Sequence, residues 1–264
     1  MTSMLKVNIM RVDVSAKNAQ KNTDYVAEEK PLHIFLNRTR YVTIFCSPSK
    51  LKEMAVGHAI SEGIVKSMEE VKGIDLKEEE GVCTINLKAD VKLEKRLKLS
   101  QHFSRVIFSA CGSRIPYQPT LRLSKIQSDL KIKAEIILNC VNRLNFIAET
   151  FRKTGGVHVA AIYRSDGTLA TFAEDVGRHN AVDKVIGSCI LDGIDFDNCF
   201  LALSGRLTGD VVLKAAKMGL PIVASLAAAI DSGIAVAKDA ELTLIGFVRG
   251  KRMNIYNYPE RILS

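Results

Sequence analysis

The sequence lacks any C-x-x-C pair, although it contains six cysteines in 264 residues. Structural zinc sites are usually built from such closely spaced pairs, and disulfide frameworks belong to short secreted chains that cannot bury a core. A chain of this length with 47% hydrophobic residues buries a sizeable core without cross-links. We therefore expect no zinc site, no tightly bound metal and no disulfide framework. Reduced core positions are expected at Cys46, Cys83, Cys140 and Cys199.

Long apolar runs are also missing. No window approaches the roughly 18 uninterrupted apolar residues of a membrane-spanning helix. The N-terminal stretch MTSMLKVNIMRVD contains no apolar signal core. These absences predict a cytoplasmic protein without membrane contact.

What the sequence does have is an excess of positive charge, with 37 Lys and Arg against 29 Asp and Glu and a net charge of +8. This balance favours anionic partners such as phosphates, nucleotides or acidic proteins. The basic residues are dispersed, and no aromatic-rich recognition motif accompanies them, which argues against nucleic-acid binding.

The first part of the chain is rich in β-forming residues. Two apolar runs around a polar turn predict a hairpin over residues 30–46, and an amphipathic helix is expected from Ser47-Pro48 to Gly63. The charged stretch 66–98 is typical of short strands and a solvated helix. These features predict a smaller β-rich N-terminal lobe over residues 1–108.

The second part alternates strands with helices. A loop is expected over residues 109–132, and a loop of this length is usually functional. After a long helix over 133–153, apolar strands alternate with helices up to the C-terminus. This pattern predicts an α/β domain over 133–264, built on a layered, partly parallel mixed sheet with flanking helices.

Polar residues crowd the junction EDVGRHNAVDK. Glu174, Asp175, Arg178 and His179 surround a glycine-containing turn, and Asn180 is expected to cap the next helix. A helix N-terminus beside Arg178 suits a phosphate group. A capped, salt-bridged turn accounts for the same residues without any ligand.

A second junction, LSGRLTGD, combines Gly205, which lets the backbone approach a ligand, with the fork of Arg206. Thr208 is expected to cap the following helix. The segment is similar to a short phosphate cradle, but it lacks the Gly-Lys-Ser/Thr ending of a P-loop. His158 begins another strand, where a hydrogen-bonded core histidine is the more common role.

The turn between the last two apolar runs carries Arg249, Lys251 and Arg252 around Gly250. Three cations on such a turn can clamp a diphosphate, although a solvated basic turn has the same composition. If the strands share a sheet with their ends on one side, Arg178 and Arg206 converge with this turn. We predict that they do.

Cys111 stands in FSACGSRIP, where Gly112 and Ser113 interrupt regular structure. Arg105 and Arg114 would lower the pKa of its thiol and favour the thiolate. The segment alone leaves a reactive thiol and a buried filler equally open.

In combination, these stretches resemble the FdhD/NarQ family, the formate dehydrogenase accessory sulfurtransferases. The resemblance runs over about residues 28–262 and rests on the order of EDVGRHNAVDK, LSGRLTGDVVLKAAKMGLPIVAS, ACG, TGGVHVAA and LTLIGFVRG. It implies a fold similar to cytidine deaminases and a homodimer.

The resemblance also implies a role. Family members accept sulfur from a cysteine desulfurase as a persulfide and transfer it to the molybdenum cofactor, in its bis(molybdopterin guanine dinucleotide) form, before the cofactor enters formate dehydrogenase. Cys111 would carry the persulfide, and GDP or GMP would serve as a surrogate ligand. The matching cofactor-binding segment is Phe247, Val248, Arg249, Gly250, Lys251 and Arg252, and Arg206, Arg178 and His179 are expected beside it.

The sequence departs from the family pattern at two places. Arg114 stands where many members have a second cysteine, and LAAAID follows the PIVAS strand where members often have SAPT. The first departure leaves an alternative, a cofactor-binding chaperone that has lost sulfur transfer. Deaminase chemistry is not expected, because His158 is followed by Val159 and Ala160 rather than by the H-x-E pattern.

Overall fold

The computed structural model describes residues 3–100, 105–107 and 123–264. Within these ranges the chain is a mixed α/β protein with a five-stranded and a six-stranded sheet, flanking helices and two two-stranded sheets. Among the described helices, none has the length and apolar character needed to span a membrane.

The chain begins with an antiparallel hairpin of β1 (Met4–Asp13) and β2 (Asn18–Ala27). Both strands are largely exposed and pair only with each other in the described part of the chain. The sequence pattern does not predict them, because strands without a buried face lack a clear apolar alternation.

The five-stranded sheet follows. Its first two strands form the predicted antiparallel hairpin, in which Lys30 pairs with Cys46. The strand order is β5-β6-β3-β4-β7. The strands are β3 (Lys30–Leu36), β4 (Thr39–Cys46), β5 (Val71–Lys77), β6 (Val82–Leu87) and β7 (Arg105–Ile107).

Helix α1 (Leu51–Ser61) differs from the expectation in two respects. It begins after Lys50 rather than at Ser47-Pro48, because Ser47 serves another contact: its hydroxyl accepts a hydrogen bond from Val176 N. It is also buried on nearly all sides and is not amphipathic. The cause is packing between the five-stranded sheet and a helix far along the chain, α5 (Arg178–Leu191).

The stretch 66–98 contains the predicted short elements, a 3₁₀ turn (Met68–Glu70), β5, β6 and α2 (Leu93–Ser100). The expected single helix over 133–153 is wrong. The structure has α3 (Ala134–Ile147) and α4 (Glu149–Thr154), separated by the extended and buried Ala148. The carboxylate of Glu174 accepts hydrogen bonds from the backbone N–H groups of Thr150 and Phe151, which fixes the start of α4.

The six-stranded sheet confirms the predicted strand and helix alternation. Its order is β10-β9-β11-β12-β13-β14, and β11, β12 and β13 are parallel neighbours. Strand β9 is antiparallel to both β10 and β11, so β10 runs in the direction of β11. The strands are β9 (His158–Arg164), β10 (Leu169–Asp175), β11 (Cys199–Leu203), β12 (Ile222–Ser225), β13 (Thr243–Arg249) and β14 (Arg252–Ile255).

Helices cover both faces of this sheet. On one face lie α5, α6 (Gly209–Lys217) and α7 (Asp231–Ala240), whose apolar side chains form one core with the strands. On the other face α3 forms a second core. Strands β8 (Ile132–Lys133) and β15 (Ile262–Leu263) form a short parallel pair.

Helices α1 and α5 cross at two glycines. A β-carbon on Gly57 would overlap the carbonyl oxygen of Asp183, and one on Gly187 would overlap that of Glu53. The two backbones therefore touch, and this contact joins the helix of the five-stranded sheet to the helices of the six-stranded sheet.

Candidate functional site

One edge of the six-stranded sheet collects most of the polar residues selected from the sequence. Strands β10, β11, β12 and β13 run in the same direction, so their carboxyl ends lie together. The amino ends of the antiparallel strands β9 and β14 lie at the same edge. The topology confirms the predicted common side. The sheet-edge cluster consists of His158, Arg178, Arg206, Arg249, Lys251 and Arg252.

Gly205 is the contact point of this cluster. A β-carbon there would lie 3.0 Å from Cβ of Arg178 and 3.4 Å from Nδ1 of His158, so both side chains pack over the glycine. The hydroxyl of Ser225 donates a 2.6 Å hydrogen bond to the carbonyl oxygen of Gly205. This bond ties the segment after β11 to the end of β12.

The β13–β14 turn has an irregular backbone. Gly250 has a φ of +58°, and Phe247 adopts a φ of +51°, which is rare for an aromatic residue. Nε of Arg249 donates a 2.9 Å hydrogen bond to the carbonyl oxygen of Leu226, and the guanidinium lies 5.7 Å from the Phe247 ring centroid. The side chain of Val248 is buried in the core, so only its backbone faces the turn.

Four cations of the cluster are exposed, namely Arg206, Arg249, Lys251 and Arg252. Arg206, Lys251 and Arg252 form no ion pair with another residue in the described ranges. Arginine and lysine without an internal carboxylate are available for an external anion, and the guanidinium fork matches phosphate oxygens.

The start of α5 differs from the expectation. Gly177, not Asn180, occupies the position before the helix, and Asn180 lies in its first turn. Its amide donates hydrogen bonds to the carbonyl oxygen of Phe45 and to Oδ1 of Asp175. Asn180 therefore anchors α5 to the end of β4 and does not cap the helix.

Thr208 and His179 are both engaged with Asp210. Thr208 stands at the expected position before α6 but caps no backbone group, and its hydroxyl donates to Oδ1 of Asp210. Nε2 of the buried His179 lies 2.5 Å from Oδ2 of the same carboxylate. Burial raises the pKa of Asp210, but the hydrogen bond and charge of His179 outweigh it and hold the pKa below its usual range. His179 thus links the start of α5 to the start of α6, next to the sheet-edge cluster.

Lysine 184 is a site component that the sequence does not reveal. Its ammonium is fully buried, 2.6 Å from Oδ2 of Asp175, and donates to the carbonyl oxygen of Ser47. Lys184 is the last residue of the segment EDVGRHNAVDK, but lysine is ordinarily a surface residue, so its burial is not expected from the sequence. The ion pair between Lys184 and Asp175 holds the end of β10 against α5.

A second group of charges lies where α1, α5 and α6 meet. Asp183 accepts hydrogen bonds from the Ser61 hydroxyl at 2.7 Å and from the Lys214 ammonium at 2.9 Å, and His58 Nδ1 lies 2.9 Å from its other oxygen. The Lys214 ammonium also lies 2.7 Å from Glu62. We call these five residues, His58, Ser61, Glu62, Asp183 and Lys214, the helix-contact cluster.

The five cysteines in the described ranges are buried. Burial raises the pKa of Cys46, Cys83 and Cys189 to about 12 and that of Cys140 to about 11, and it also raises the pKa of Cys199. Cys111 lies outside the described residues. No group of three or more potential metal ligands occurs in the part of the chain that the structure describes.

Comparisons with known proteins agree with the sequence pattern. The FdhD/NarQ family model matches residues 27–263. The chain is 37% identical to a sulfur carrier protein FdhD of Shouchella clausii, over 90% of each chain. It is also 37% identical to one of Saccharolobus solfataricus, over 97% of this chain and 99% of that protein. A solved structure of a formate dehydrogenase accessory protein from Desulfotalea psychrophila superposes with a TM-score of 0.79 at 27% identity, covering 99% of this chain and all of the other.

Proposed function

Because the chain belongs to the FdhD/NarQ family, we propose that it is a sulfur carrier protein that acts as an accessory factor for formate dehydrogenase. In this proposal Cys111 accepts sulfur from a cysteine desulfurase as a persulfide. The sulfur is then transferred to the molybdenum cofactor, bis(molybdopterin guanine dinucleotide), before insertion into the enzyme. The transfer takes place in the cytoplasm, and the protein acts as a homodimer.

The state of the other cysteines supports Cys111 as the carrier. Only a thiolate attacks a persulfide, and thiols buried in apolar surroundings stay protonated and inaccessible. The five described cysteines are of this kind, with pKa values raised by burial. None of these five competes with Cys111, the residue that the family resemblance implies as the carrier.

The loading step balances without a further reactant. The Cys111 thiolate attacks the outer sulfur of the desulfurase persulfide, a new S–S bond forms, and the S–S bond of the donor breaks. The bonding electrons leave with the donor cysteine, which becomes a thiolate. Cys111 then carries one additional sulfur atom.

The sheet-edge cluster supports binding of the cofactor, which is the substrate of the transfer. The cofactor ends in guanosine diphosphate groups, and the exposed Arg206, Lys251 and Arg252 lie at one edge with Arg178 and Arg249. Such groups on turns and at the start of a helix suit a diphosphate. The position of Arg206, Lys251 and Arg252 at one sheet edge, without a carboxylate partner in the described part of the chain, is the observation that carries the binding part of the proposal.

The loading step is tested with a cysteine desulfurase and cysteine, followed by mass spectrometry of the intact and digested protein. We expect one added sulfur atom on Cys111, removed by reductant and absent in Cys111→Ala. Cys140→Ala is the matched control, because its thiol is buried, and it should still be labelled at Cys111. A label that is unchanged in Cys111→Ala, or spread over the other cysteines, contradicts the carrier role.

The same variant separates sulfur transfer from simple cofactor binding. In a cell without its own family protein, Cys111→Ala should fail to restore formate dehydrogenase activity. Restoration by this variant would favour the non-catalytic chaperone, for which Arg114 in place of a second cysteine is the motivating observation.

Binding is tested by calorimetry with GDP. Each charge-assisted contact to a diphosphate contributes about 1.5–3 kcal/mol, so Arg249→Ala should weaken GDP binding by roughly 10- to 100-fold. Cys111→Ala should leave the affinity nearly unchanged, because the thiol serves transfer. Equal affinity of Arg249→Ala and the parent, or loss of binding in Cys111→Ala, would refute this division of roles.

A further inference from the structure

The imidazole of His158 lies at the sheet edge, and no hydrogen bond joins it to another described residue. Strand β9 begins at His158, which pairs in register with Asp175 at the end of β10. The ring packs over Gly205 beside Arg178, as the 3.4 Å approach of Nδ1 to the glycine's would-be β-carbon shows. It is half-buried and has no hydrogen-bond partner among residues 3–100, 105–107 and 123–264. Within these ranges neither ring nitrogen is engaged by the protein, so we expect both to be open to a ligand.

Charged groups face this ring from three neighbouring elements. Arg178 and His179 lie at the start of α5, Asp175 at the end of β10, and Arg206 after β11. Burial lowers the pKa of His158 most, the charges of Arg178, His179 and Arg206 lower it further, and Asp175 acts in the opposite direction. An empty edge thus holds a neutral imidazole near neutral pH.

We propose that His158 is a proton-linked contact for the diphosphate group, neutral when the sheet edge is empty and protonated when the anion is bound. The inference rests on the proposed function, because it requires a guanosine diphosphate group at this edge. A bound anion beside Arg178 and Arg206 cancels the positive field that opposes protonation. Its oxygen also accepts a hydrogen bond from the imidazolium.

A consequence is that nucleotide affinity depends on pH. A group whose pKa is higher in the complex than in the free protein favours binding at low pH, so protons are taken up on binding. Between pH of about 7.5 and 5.5, around the ordinary imidazole pKa, the affinity of the parent should rise about three- to tenfold.

The experiment is calorimetry of the full-length protein with GDP-mannose. Both phosphates of this diester stay singly ionised across the pH range, whereas the terminal phosphate of GDP titrates near pH 6, roughly as phosphomonoesters do. Titrations in buffers of different ionisation enthalpy give the number of protons taken up. We expect roughly half a proton or more for the parent near pH 6.5 and none for His158→Gln.

His33→Gln is the matched control. Burial and the charge of Arg40 also lower the pKa of His33, but this residue lies on β3 in the five-stranded sheet. Its variant should show the proton uptake of the parent. The affinity of His158→Gln should be almost independent of pH over the same range.

The outcomes separate this inference from the proposed function. Binding of GDP-mannose by the parent without proton uptake, or undiminished uptake in His158→Gln, overturns the role of His158 and leaves the nucleotide site standing. A parent that binds neither GDP nor GDP-mannose overturns both. If His158→Gln does not fold, the proton count of the parent still decides, since zero uptake excludes the linkage.

Discussion

The helix-contact cluster and the sheet-edge cluster use cations in opposite ways. At the helix contact, Lys214 is buried and lies within 2.7–2.9 Å of Glu62 and Asp183. At the sheet edge, Arg206 and Arg252 are exposed and form no ion pair with a described residue. A buried cation requires an internal carboxylate, whereas an exposed cation is stable in water and can bind an external anion. From this difference we infer that the first cluster holds the helices together, and it supports the proposal that the second binds a ligand.

The largest effect is expected where helices α1 and α5 touch. Gly187→Ala places a β-carbon into the carbonyl group of Glu53, and helix backbone cannot yield as a flexible side chain does. We expect a loss of at least about 4 kcal/mol in the free energy of unfolding, or failure to fold. Urea denaturation measures it. Gly73→Ala, where a β-carbon meets no atom within 4 Å, is the control and should stay within about 0.5 kcal/mol.

The second effect comes from breaking the buried ion pair. Lys214→Met keeps the volume of the side chain but leaves Asp183 buried without its ammonium partner. We expect a loss of about 3–5 kcal/mol in the free energy of unfolding. The double variant Asp183→Asn with Lys214→Met should lose less, because the fully buried carboxylate is removed as well and only the partly exposed Glu62 loses the Lys214 ammonium. A single variant as stable as the parent would show that the pair does not hold the helices.

The third change sharpens the comparison at the sheet edge. Arg206→Met removes an exposed cation, so the free energy of unfolding should change by less than about 0.5 kcal/mol. GDP binding should weaken by roughly 10- to 100-fold. Calorimetry and urea denaturation of the same preparation check both statements. A large loss of stability with unchanged GDP binding would reverse the assignment of the two clusters.

The same comparison explains what the sequence could predict. The strands and helices after residue 133 follow a local apolar periodicity, and the basic residues around Gly250 are neighbours in sequence. Both features can therefore be predicted from the sequence. The single helix over 133–153 fails because Glu174, distant in sequence, fixes a new helix start after Ala148. Local pattern predicts an element, but a remote partner decides where it ends.

Of the candidate site, only the exposed residues could be predicted from the sequence. Arg206 and Arg249 stand at strand ends, where ligand-binding residues are expected. The buried lysines Lys184 and Lys214 were not readable, because their carboxylate partners become neighbours only through the fold. His158 is similar: its surroundings come from two other strands and a helix. Composition identifies cations, and only the fold shows which of them already have a partner.

The smallest expected effect concerns an ion pair of intermediate burial, Glu70 with Arg96. Both carboxylate oxygens of Glu70 lie 2.6–2.7 Å from guanidinium nitrogens, and the side chains are 19% and 21% exposed. The Arg96 hydrogen bonds are the main cause that lowers the pKa of Glu70 to about 2. In burial, this pair is intermediate between Lys214 of the helix-contact cluster and the exposed cations of the sheet-edge cluster.

A lowered carboxyl pKa gives stability that is complete above the unfolded pKa of about 4.3 and is lost as the pH falls towards 2. Glu70→Gln should therefore cost about 1 kcal/mol at pH 7, as a partly exposed bidentate pair does. The difference from the parent should shrink below pH 4 and vanish only once the pH is below about 2, in urea denaturation at a series of pH values. Glu149→Gln, whose ion pair with Lys153 is exposed, is the control and should show little change at any pH. A Glu70→Gln difference that persists unchanged at low pH would mean that packing, not the charge of Glu70, provides the stability.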